Sequence, residues 1–214
     1  MSKLKFVISM SLDGFIAGPN QSPEDPLGVG GKKLHEWAFP LKAFKELHGG
    51  EGGEVNESNS VVEEMFANVG ATIMGRNMFG GYPGPWNPEN PWDGWWGNNP
   101  PFHHPVFVVT HFEREPLKME GGTTFIFVTS GIQDALTQAR KAANGKDVHL
   151  GGGANVAQQY LSENLIDEMN VSLVPIFLGS GERLFKDMSN EQQFELVRTI
   201  PAKNVTHLKY RFLR

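Results

Sequence analysis

The stretch "VHLGGGANVAQQYLSENL" (148–165) places three consecutive glycines, Gly151, Gly152 and Gly153, between a predicted buried strand and a predicted helix. A helix beginning at such a turn leaves several backbone N–H groups unpaired, and its dipole adds partial positive charge there. These groups favour a phosphate or pyrophosphate. The alternative is a tight turn without a ligand, for which two glycines would suffice. The Rossmann pattern is not met because Val156 replaces its third glycine, and no P-loop Gly-Lys-Ser/Thr follows.

A second strand-to-helix turn lies in "IMGRNMF" (73–79), where a short buried strand ends at Gly75 and a short helix begins at Arg76 or Asn77. In a parallel sheet the carboxyl ends of the strands line one ligand crevice, so Arg76 is expected at the same edge as the triple glycine. A guanidinium group there suits a phosphate. The alternative is an ordinary solvated arginine.

Two further strands, in "VVTH" and "FVTS", end in hydroxyl-bearing residues. The first delivers Thr110 and His111 to the predicted edge, and the second delivers Thr129 and Ser130. Each signal is weak alone, because Ser and Thr are common caps. Together, four strands that end in Gly, Thr or Ser at one edge predict an elongated ligand with several phosphates, such as a dinucleotide.

Two carboxylates are candidates for proton transfer or substrate binding. Asp13 follows the first strand in "SLDGFIAG", where the alternative is a simple Asp-Gly turn. Among apolar neighbours its pKa would be raised, which would let it handle a proton. Glu182 follows a later strand in "FLGSGERLF" and is predicted to point into the crevice. The alternative is a solvated ion pair of Glu182 with Arg183.

The elements that must position these residues alternate between strand and helix from residue 60 to 165. Such alternation predicts an α/β fold with a mostly parallel central sheet and helices on both of its faces. The C-terminal stretch "FELVRTIPAKNVTHLKYRFL" predicts an antiparallel hairpin added to that sheet. No repeat or boundary is found, so residues 1–214 are predicted to form a single domain.

Local signals predict where the helices begin and end. The helix in "SNSVVEEMFANVG" would be capped by Ser58 or Ser60 and stopped by Gly70. A helical pattern over 34–41 is expected to break at Pro40. The segment "GIQDALTQARKAANG" (131–145) carries one apolar face and predicts a complete helix.

The composition excludes several classes of function. The net charge is −5 without a Lys/Arg cluster, which argues against nucleic acid as a partner. The chain has no cysteine, and its seven histidines show no metal-binding spacing, so no metal is expected. No stretch reaches membrane length, and a cytoplasmic location is the expectation.

The segment 80–105, here called the Trp segment, holds seven prolines and four of the five tryptophans. A long loop inside a compact domain is usually functional, and its aromatic content argues against a disordered linker. Stacking on a flat substrate or forming a lid is the predicted role of the tryptophans, with Trp37 and Trp86 as the substrate-binding candidates. The full set is Trp37, Trp86, Trp92, Trp95 and Trp96.

Taken together, the ordered motifs resemble the riboflavin-biosynthesis reductase (RibD C-terminal) domain family, which shares the dihydrofolate reductase fold. The resemblance rests on "VISMSLDGFIAG", "IMGRNMF", "VFVVTH", "VHLGGGANVAQQYL" and "LIDEMNVSLVPIFLGSGERLF". It implies a dihydrofolate-reductase-like domain that binds NADPH along the strand edge, with Asp13 and Glu182 near the nicotinamide, and that pairs as a homodimer. The implied cofactor-binding residues are Gly75, Arg76, Asn77, Thr110, His111, Thr129, Ser130, Gly151, Gly152, Gly153, Ala154, Asn155 and Val156.

The preferred hypothesis is an NADPH-dependent reductase that transfers a hydride to a small heterocyclic or ribosylamine-type substrate, with Asp13 or a water it holds as the proton source. One alternative is the 5-amino-6-(5-phosphoribosylamino)uracil reductase of riboflavin biosynthesis. The Lys/Arg set expected around a phosphoribosyl group is missing from the Trp segment and from residues 18–58. Another alternative is a nucleotide-binding module without catalysis.

Overall fold

The computed structural model describes residues 2–89, 91–186, 188 and 192–213. Met1, Arg214 and Asn90 of the Trp segment therefore lie outside the described residues. The strands are β1 (Leu4–Ser11), β2 (Phe15–Ala17), β3 (Val69–Gly75), β4 (Pro105–Val109), β5 (Leu117–Lys118), β6 (Thr124–Val128), β7 (Asp147–Gly152), β8 (Glu168–Val174), β9 (Glu182–Arg183), β10 (Gln193–Ala202) and β11 (Val205–Leu213). The helices are α1 (Lys42–Leu47), α2 (Glu57–Phe66), α3 (Arg76–Phe79), α4 (Ile132–Ala142) and α5 (Ala154–Ser162).

Nine of the described strands form one mixed sheet in the order β10-β11-β8-β1-β7-β3-β4-β6-β5. The six strands from β8 to β6 pair in parallel, whereas β10, β11 and β5 are antiparallel to their neighbours. The predicted α/β class, the mostly parallel sheet and the closing hairpin are confirmed. Strands β2 and β9 pair separately as a two-stranded sheet.

Helices lie on both faces of the large sheet, as predicted. On the α4/α5 face, helix α4 buries Ile132, Ala135, Leu136 and Ala139 against the apolar strands, which confirms its predicted apolar side. On the opposite α2 face, α2 lies over β11, and the Trp segment covers β4 and β6. The sheet is therefore buried on both faces over its parallel centre, which explains its near-continuous apolar strands.

Two predicted helix boundaries are wrong. The cap of α2 is Asn56, whose side chain accepts a hydrogen bond from the backbone N–H of Asn59, and α2 ends at Phe66. Asn68 turns the chain with φ +60°, so Gly70 is free to lie within β3. An asparagine side chain accepts a hydrogen bond from the N–H groups of the first turn as well as a serine side chain would. The sequence alone therefore does not show which of these residues caps the helix.

The register of the strands brings the predicted site residues to one edge of the sheet. Gly152 of β7 pairs with Met74 of β3, and Gly75 pairs with Val109 of β4. Val109 in turn pairs with Val128 of β6. The four strands thus end side by side, so the residues that follow them share the edge, as expected for parallel strands.

Candidate cofactor site

The triple glycine forms the centre of the candidate site, and a different observation bears on why each position is glycine. A Cβ on Gly151 would lie 3.0 Å from Met78 Cε, and Gly152 has φ +116°, a conformation that favours glycine. Gly153 differs, because no described atom beyond its two chain neighbours lies within 4 Å of the place where its Cβ would stand. Packing and backbone conformation thus account for the first two glycines, whereas Gly153 faces open space that a ligand could fill.

The end of β3 lies directly against the start of α5. A Cβ on Gly75 would stand 2.7 Å from Val156 Cγ2 and 3.6 Å from the backbone nitrogen of Gly153. Glycine at position 75 therefore permits the close approach of the two turns that were predicted separately. The two turns are therefore neighbours, as a single ligand site formed by both would require.

Helix α5 begins without a cap. The residue at the cap position is Gly153, which has no side chain that could bond to the N-terminal N–H groups, and the first turn carries no acidic residue. The side chains of Ala154 and Val156 are buried, so only their backbone can face a ligand, while Asn155 is exposed and accepts a hydrogen bond from Gln159. Free N–H groups and the helix dipole together favour an anion at this point.

Arg76 is half-buried at the start of α3, with its guanidinium 3.9 Å from the centroid of the Trp86 ring. Its Nη2 donates a hydrogen bond to the carbonyl oxygen of Tyr82 at 3.0 Å. Its Nε is buried and has no hydrogen-bond partner among the described residues. Burial lowers the pKa of Arg76, and the positive charge of Arg114 lowers it further. An unpaired buried donor is costly, and an anionic ligand would remove that cost.

Arg114 is a candidate residue that the sequence reasoning missed. Its guanidinium lies 5.1 Å from the centroid of the same Trp86 ring, and its Nη2 pairs with Asp93 at 2.8 Å. It also donates to the carbonyl oxygen of Trp92. The available signal was an arginine four residues beyond Thr110, in "VVTHFER". Two guanidinium groups thus lie at one tryptophan, and Asp93 offsets the charge of one of them.

The predicted hydroxyl groups lie at this edge of the sheet, but those of Thr110 and Ser130 form hydrogen bonds with residues close to them in the sequence. Thr110 is buried, and its Oγ1 accepts a hydrogen bond from the N–H of Phe112 at 3.2 Å. Ser130 donates to Asp134, which lowers the pKa of that carboxyl group. The exposed residues of the predicted set at this end are Asn77, His111, Thr129 and Ser130.

The structure separates the two tryptophans that were named as substrate-binding candidates. Trp37 Nε1 donates to Ser9 Oγ on β1 at 3.2 Å, whereas Trp86 packs on Phe127 of β6 with ring centroids 5.1 Å apart. Four strand spacings separate β1 from β6, or about 19 Å. A small substrate cannot contact both rings at once, and a substrate-binding role for either Trp37 or Trp86 stays a prediction.

The Trp segment is fixed to the fold. Trp92 Nε1 and Trp95 Nε1 each donate at 2.9 Å to a carbonyl oxygen at the end of α3, that of Phe79 and that of Met78 respectively. Trp86 Nε1 donates to the carbonyl oxygen of Phe112 at 3.0 Å. The segment therefore satisfies carbonyl groups that the short helix α3 leaves unpaired, which accounts for several of its tryptophans without a ligand.

Asp13 is a structural acceptor in this fold. Its Oδ1 accepts from Ser11 Oγ at 2.6 Å and from the N–H of Leu178 at 3.1 Å, and its Oδ2 accepts from the N–H of Gly179 at 2.7 Å. Desolvation alone would raise the pKa of Asp13, but these hydrogen bonds lower it to about 2. The predicted raised pKa was wrong, because sequence could not show that two backbone N–H groups from a distant loop converge on this carboxylate.

We expect Asp13→Asn to lower the free energy of unfolding at neutral pH, by an amount that shrinks in acid. The folded pKa of about 2 lies below the ordinary 3.8. The ionised form therefore stabilises the fold, fully above pH 3.8 and progressively less as the pH falls through about 2. Urea unfolding of both proteins at pH 7 and near pH 2 measures the difference. A difference that is the same at both pH values would contradict the assignment.

Glu182 and Asn155 line one shallow groove beside the start of α5. Glu182 is exposed on β9, and the Arg183 side chain donates to the carbonyl oxygen of Asp13 at 2.9 Å. The predicted position of Glu182 near the nicotinamide stays a prediction. The groove has a volume of about 430 Å³ and is lined by Phe15, Asn155, Gln158, Gly181, Glu182, Arg183 and Lys186.

A buried polar row beneath Trp37 was also missed. Ser9 on β1, Ser172 on β8 and His207 on β11 are paired neighbours across the α2 face, and His207 Nδ1 lies 2.9 Å from Ser172 Oγ. The Nε2 of His207 lies 2.9 Å from Ser58 Oγ of α2. Burial, and then the charge of Arg198, lowers the pKa of His207 to about 4, so the ring is neutral at physiological pH.

Within the described part of the chain, no helix is long and apolar enough to cross a membrane. The same residues contain no group of three or more His, Asp or Glu side chains arranged to hold a metal ion.

Comparison with known proteins identifies the class. The profile of the RibD C-terminal domain family matches residues 2–208, and the chain belongs to that family. The predicted resemblance is thereby confirmed. Membership, together with the fold, supports a reductase-type function.

Three similar proteins show the range of relatives. The uncharacterized protein YwjB of Bacillus subtilis (strain 168) is 31% identical over 84 residues, which is 39% of this chain and 48% of YwjB. The match thus spans about half the length of that relative. A Shewanella sp. PV-4 protein assigned to riboflavin biosynthesis is 21% identical with a TM-score of 0.63, over 100% of both chains. Dihydrofolate reductase from Enterococcus faecalis, in complex with NADP(H) and RAB-propyl, is 13% identical with a TM-score of 0.55, over 98% of this chain and 96% of that one. At these identities the two structures show the shared fold.

Proposed function

We propose that this chain is an NADPH-dependent reductase that transfers a hydride to a small heterocyclic or ribosylamine-type substrate. The observation that carries the cofactor assignment is the buried Arg76 Nε without a described partner. It lies beside two adjoining glycine turns, one of which faces open space at Gly153. Membership of a family that contains reductases supports the reaction type. A cytoplasmic site of action belongs to the same proposal.

Phosphate groups of the cofactor would be held by the backbone at the two turns and by Arg76. Backbone N–H groups at the start of α5 suit the pyrophosphate. Arg76 and Arg114 bring two positive charges to the Trp86 end, and Asp93 offsets only one of them. The extra phosphate of NADPH, compared with NADH, adds negative charge that such a pair favours. Thr110, His111, Thr129 and Ser130 would border the adenosine.

The reacting end would lie near Asp13, Glu182 and Trp37, where β1 ends. When bound, NADPH supplies the hydride, and a C=N or C=O carbon of the substrate accepts it. The nitrogen or oxygen of that bond then needs a proton. Asp13 is ionised at neutral pH, with a pKa of about 2, so it orients a water that donates the proton. Trp37 closes the α2 face above Ser9 and offers a flat surface for a heterocycle.

Titration with NADPH, followed by tryptophan fluorescence, tests the cofactor assignment without knowledge of the substrate. Quenching with energy transfer to the reduced nicotinamide is expected, because Trp86 contacts Arg76 at the predicted phosphate end. NADH is expected to bind more weakly, since it lacks the phosphate that the arginine pair would hold. A fluorescence spectrum that stays unchanged at millimolar NADPH would refute the assignment.

A further inference from the structure

Helix α2 crosses the α2 face of the sheet but leaves space above the middle strands. Near its start, Ser58 Oγ lies 2.9 Å from Nε2 of His207 on β11, and at its end the Phe66 ring lies edge-on to His149 of β7, with centroids 5.3 Å apart. Strands β8 and β1 lie between these two contacts. Val7 on β1 is nevertheless only half-buried. Space therefore remains above Val7, between the helix and the sheet.

Three buried polar side chains surround Val7. Asn170 on β8 is its strand partner, and Ser9 is the next residue of β1 on the same face. His149 on β7 pairs with Lys5, the preceding residue of β1 on that face. The exposed fractions of Ser9, His149 and Asn170 are 5%, 7% and 7%. Polar side chains at this depth normally have hydrogen-bond partners.

These three side chains retain unused hydrogen-bonding groups. The Asn170 amide and the His149 ring have no hydrogen-bond partner among the described residues. Ser9 Oγ accepts a hydrogen bond from Trp37 Nε1 at 3.2 Å, but its own O–H donates to no described acceptor. The described side-chain atoms that are both unpaired and sealed from solvent belong to Ser2, Arg76 and Asn164. The polar atoms of Asn170 and His149 therefore keep contact with solvent and can bind a small molecule.

No charge in this part of the described structure is free to pair with a bound ion. Lys5 pairs with Asp147 at 2.7 Å. Glu168 pairs with Lys209 at 3.2 Å. Burial lowers the pKa of His149 to about 3, so its ring is neutral at physiological pH. A phosphate or carboxylate bound here would lose its hydration without a cation to replace it, which is costly. The side of α2 that faces the sheet is also uncharged, and its buried residues are Ser58, Asn59, Val61, Val62 and Met65.

The unused groups match the edge of an amide-containing ring. An asparagine side chain offers a carbonyl oxygen and an N–H₂ group side by side, and a neutral imidazole offers one donor and one acceptor. The space also adjoins the candidate cofactor site, because a Cβ on Gly151 would lie 3.7 Å from His149 Cε1 and 3.0 Å from Met78 Cε. Gly151 is the first residue of the triple glycine, so a molecule beside His149 would lie next to the two glycine turns.

We propose that the space above Val7 binds an uncharged, planar heterocycle with ring N–H and C=O groups, which Asn170, His149 and Ser9 recognise through hydrogen bonds. The inference rests on the proposed reductase function, since this heterocycle would be the hydride acceptor. It narrows the substrate class to molecules without a phosphate or carboxylate group, and a phosphorylated ribosylamine is thereby disfavoured. A site built around hydrogen bonds rejects molecules that lack the matching groups by a large factor.

Isothermal titration calorimetry with matched probes, in the absence of NADPH, tests the substrate class. Dihydrobiopterin and riboflavin are uncharged, whereas dihydrofolate and FMN carry the same ring systems with carboxylate or phosphate groups. At least one uncharged probe is expected to bind at micromolar concentration, and at least about tenfold more tightly than its charged counterpart. If neither uncharged probe binds at millimolar concentration, or if the charged counterparts bind as tightly, the inference is overturned.

Asn170→Leu removes the unpaired amide and is expected to weaken the best uncharged probe at least about tenfold. The midpoint of thermal unfolding should not fall, because no described internal hydrogen bond is lost. His149→Phe keeps a ring against Phe66 and should weaken the probe to a similar degree, which gives an independent test if the first variant fails to fold. The control Thr199→Leu, at an exposed position of β10, should leave the affinity unchanged. Wild-type affinity in the folded variants at positions 170 and 149 would overturn the assignment.

A parallel NADPH titration separates this inference from the reductase assignment. If NADPH does not bind, but an uncharged probe binds and loses affinity in Asn170→Leu, the heterocycle site stands and the reductase assignment fails. If NADPH binds, and the charged probes bind as tightly as their uncharged counterparts, the substrate class proposed here fails alone.

Discussion

Gly153→Ala is expected to weaken NADPH binding at least about tenfold while the fold stays intact. The added methyl group would project into the open space where a phosphate would contact the backbone. Gly153 has φ −70°, a value that alanine adopts, and no described atom outside residues 152–154 lies within 4 Å of the new methyl. The free energy of unfolding should therefore stay within about 1 kcal/mol of the wild-type value.

Gly75→Ala is the matched contrast, because its methyl would meet Val156 Cγ2 at 2.7 Å. That variant should lose stability as well as affinity, since a close contact of two turns is disrupted. Thermal unfolding and NADPH titration of both variants separate the two effects. Unchanged NADPH affinity in a folded Gly153→Ala protein would show that no phosphate contacts this glycine.

Arg76→Ala is expected to raise the dissociation constant for NADPH by about 10- to 100-fold. A charge-assisted hydrogen bond contributes roughly 1.5–3 kcal/mol, and each 1.4 kcal/mol is a factor of ten in affinity. The wild-type affinity should also fall with added salt, more steeply than that of the variant. Fluorescence titration at two salt concentrations measures both effects.

Arg140→Ala is the control for this variant, because Arg140 is a partly exposed arginine on α4 that lies 3.7 Å from Asp167. Its removal should leave the NADPH affinity unchanged. If Arg76→Ala binds NADPH within about twofold of wild type, Arg76 is not a phosphate ligand, and its unpaired Nε needs another explanation.

The edge of the sheet at which the candidate site lies could be predicted, because the carboxyl ends of parallel strands all lie at the same edge. Once Gly75 and Gly152 are assigned to the ends of parallel strands, both must lie at the same edge of the sheet. The close contact of Gly75 with Val156 goes further, because it requires β3 and β7 to be neighbours, which the sequence does not specify. Position along the chain and strand direction were sufficient to predict the shared edge, but not the order of the strands.

Contacts between distant segments could not be predicted. The pKa of Asp13 depends on N–H groups of Leu178 and Gly179, about 165 residues away. The placement of Trp86 depends on how the Trp segment folds back over β6, which its proline-rich sequence does not specify. Arg114 becomes relevant only through that same tryptophan.

Backbone NMR of the isotope-labelled chain during an NADPH titration tests the central claim most directly. The largest amide shifts are expected at Gly153, Ala154, Asn155 and Arg76, where the two glycine turns meet, with no shift at Val55. Shifts concentrated elsewhere, or none at millimolar NADPH, would contradict a cofactor site at these turns.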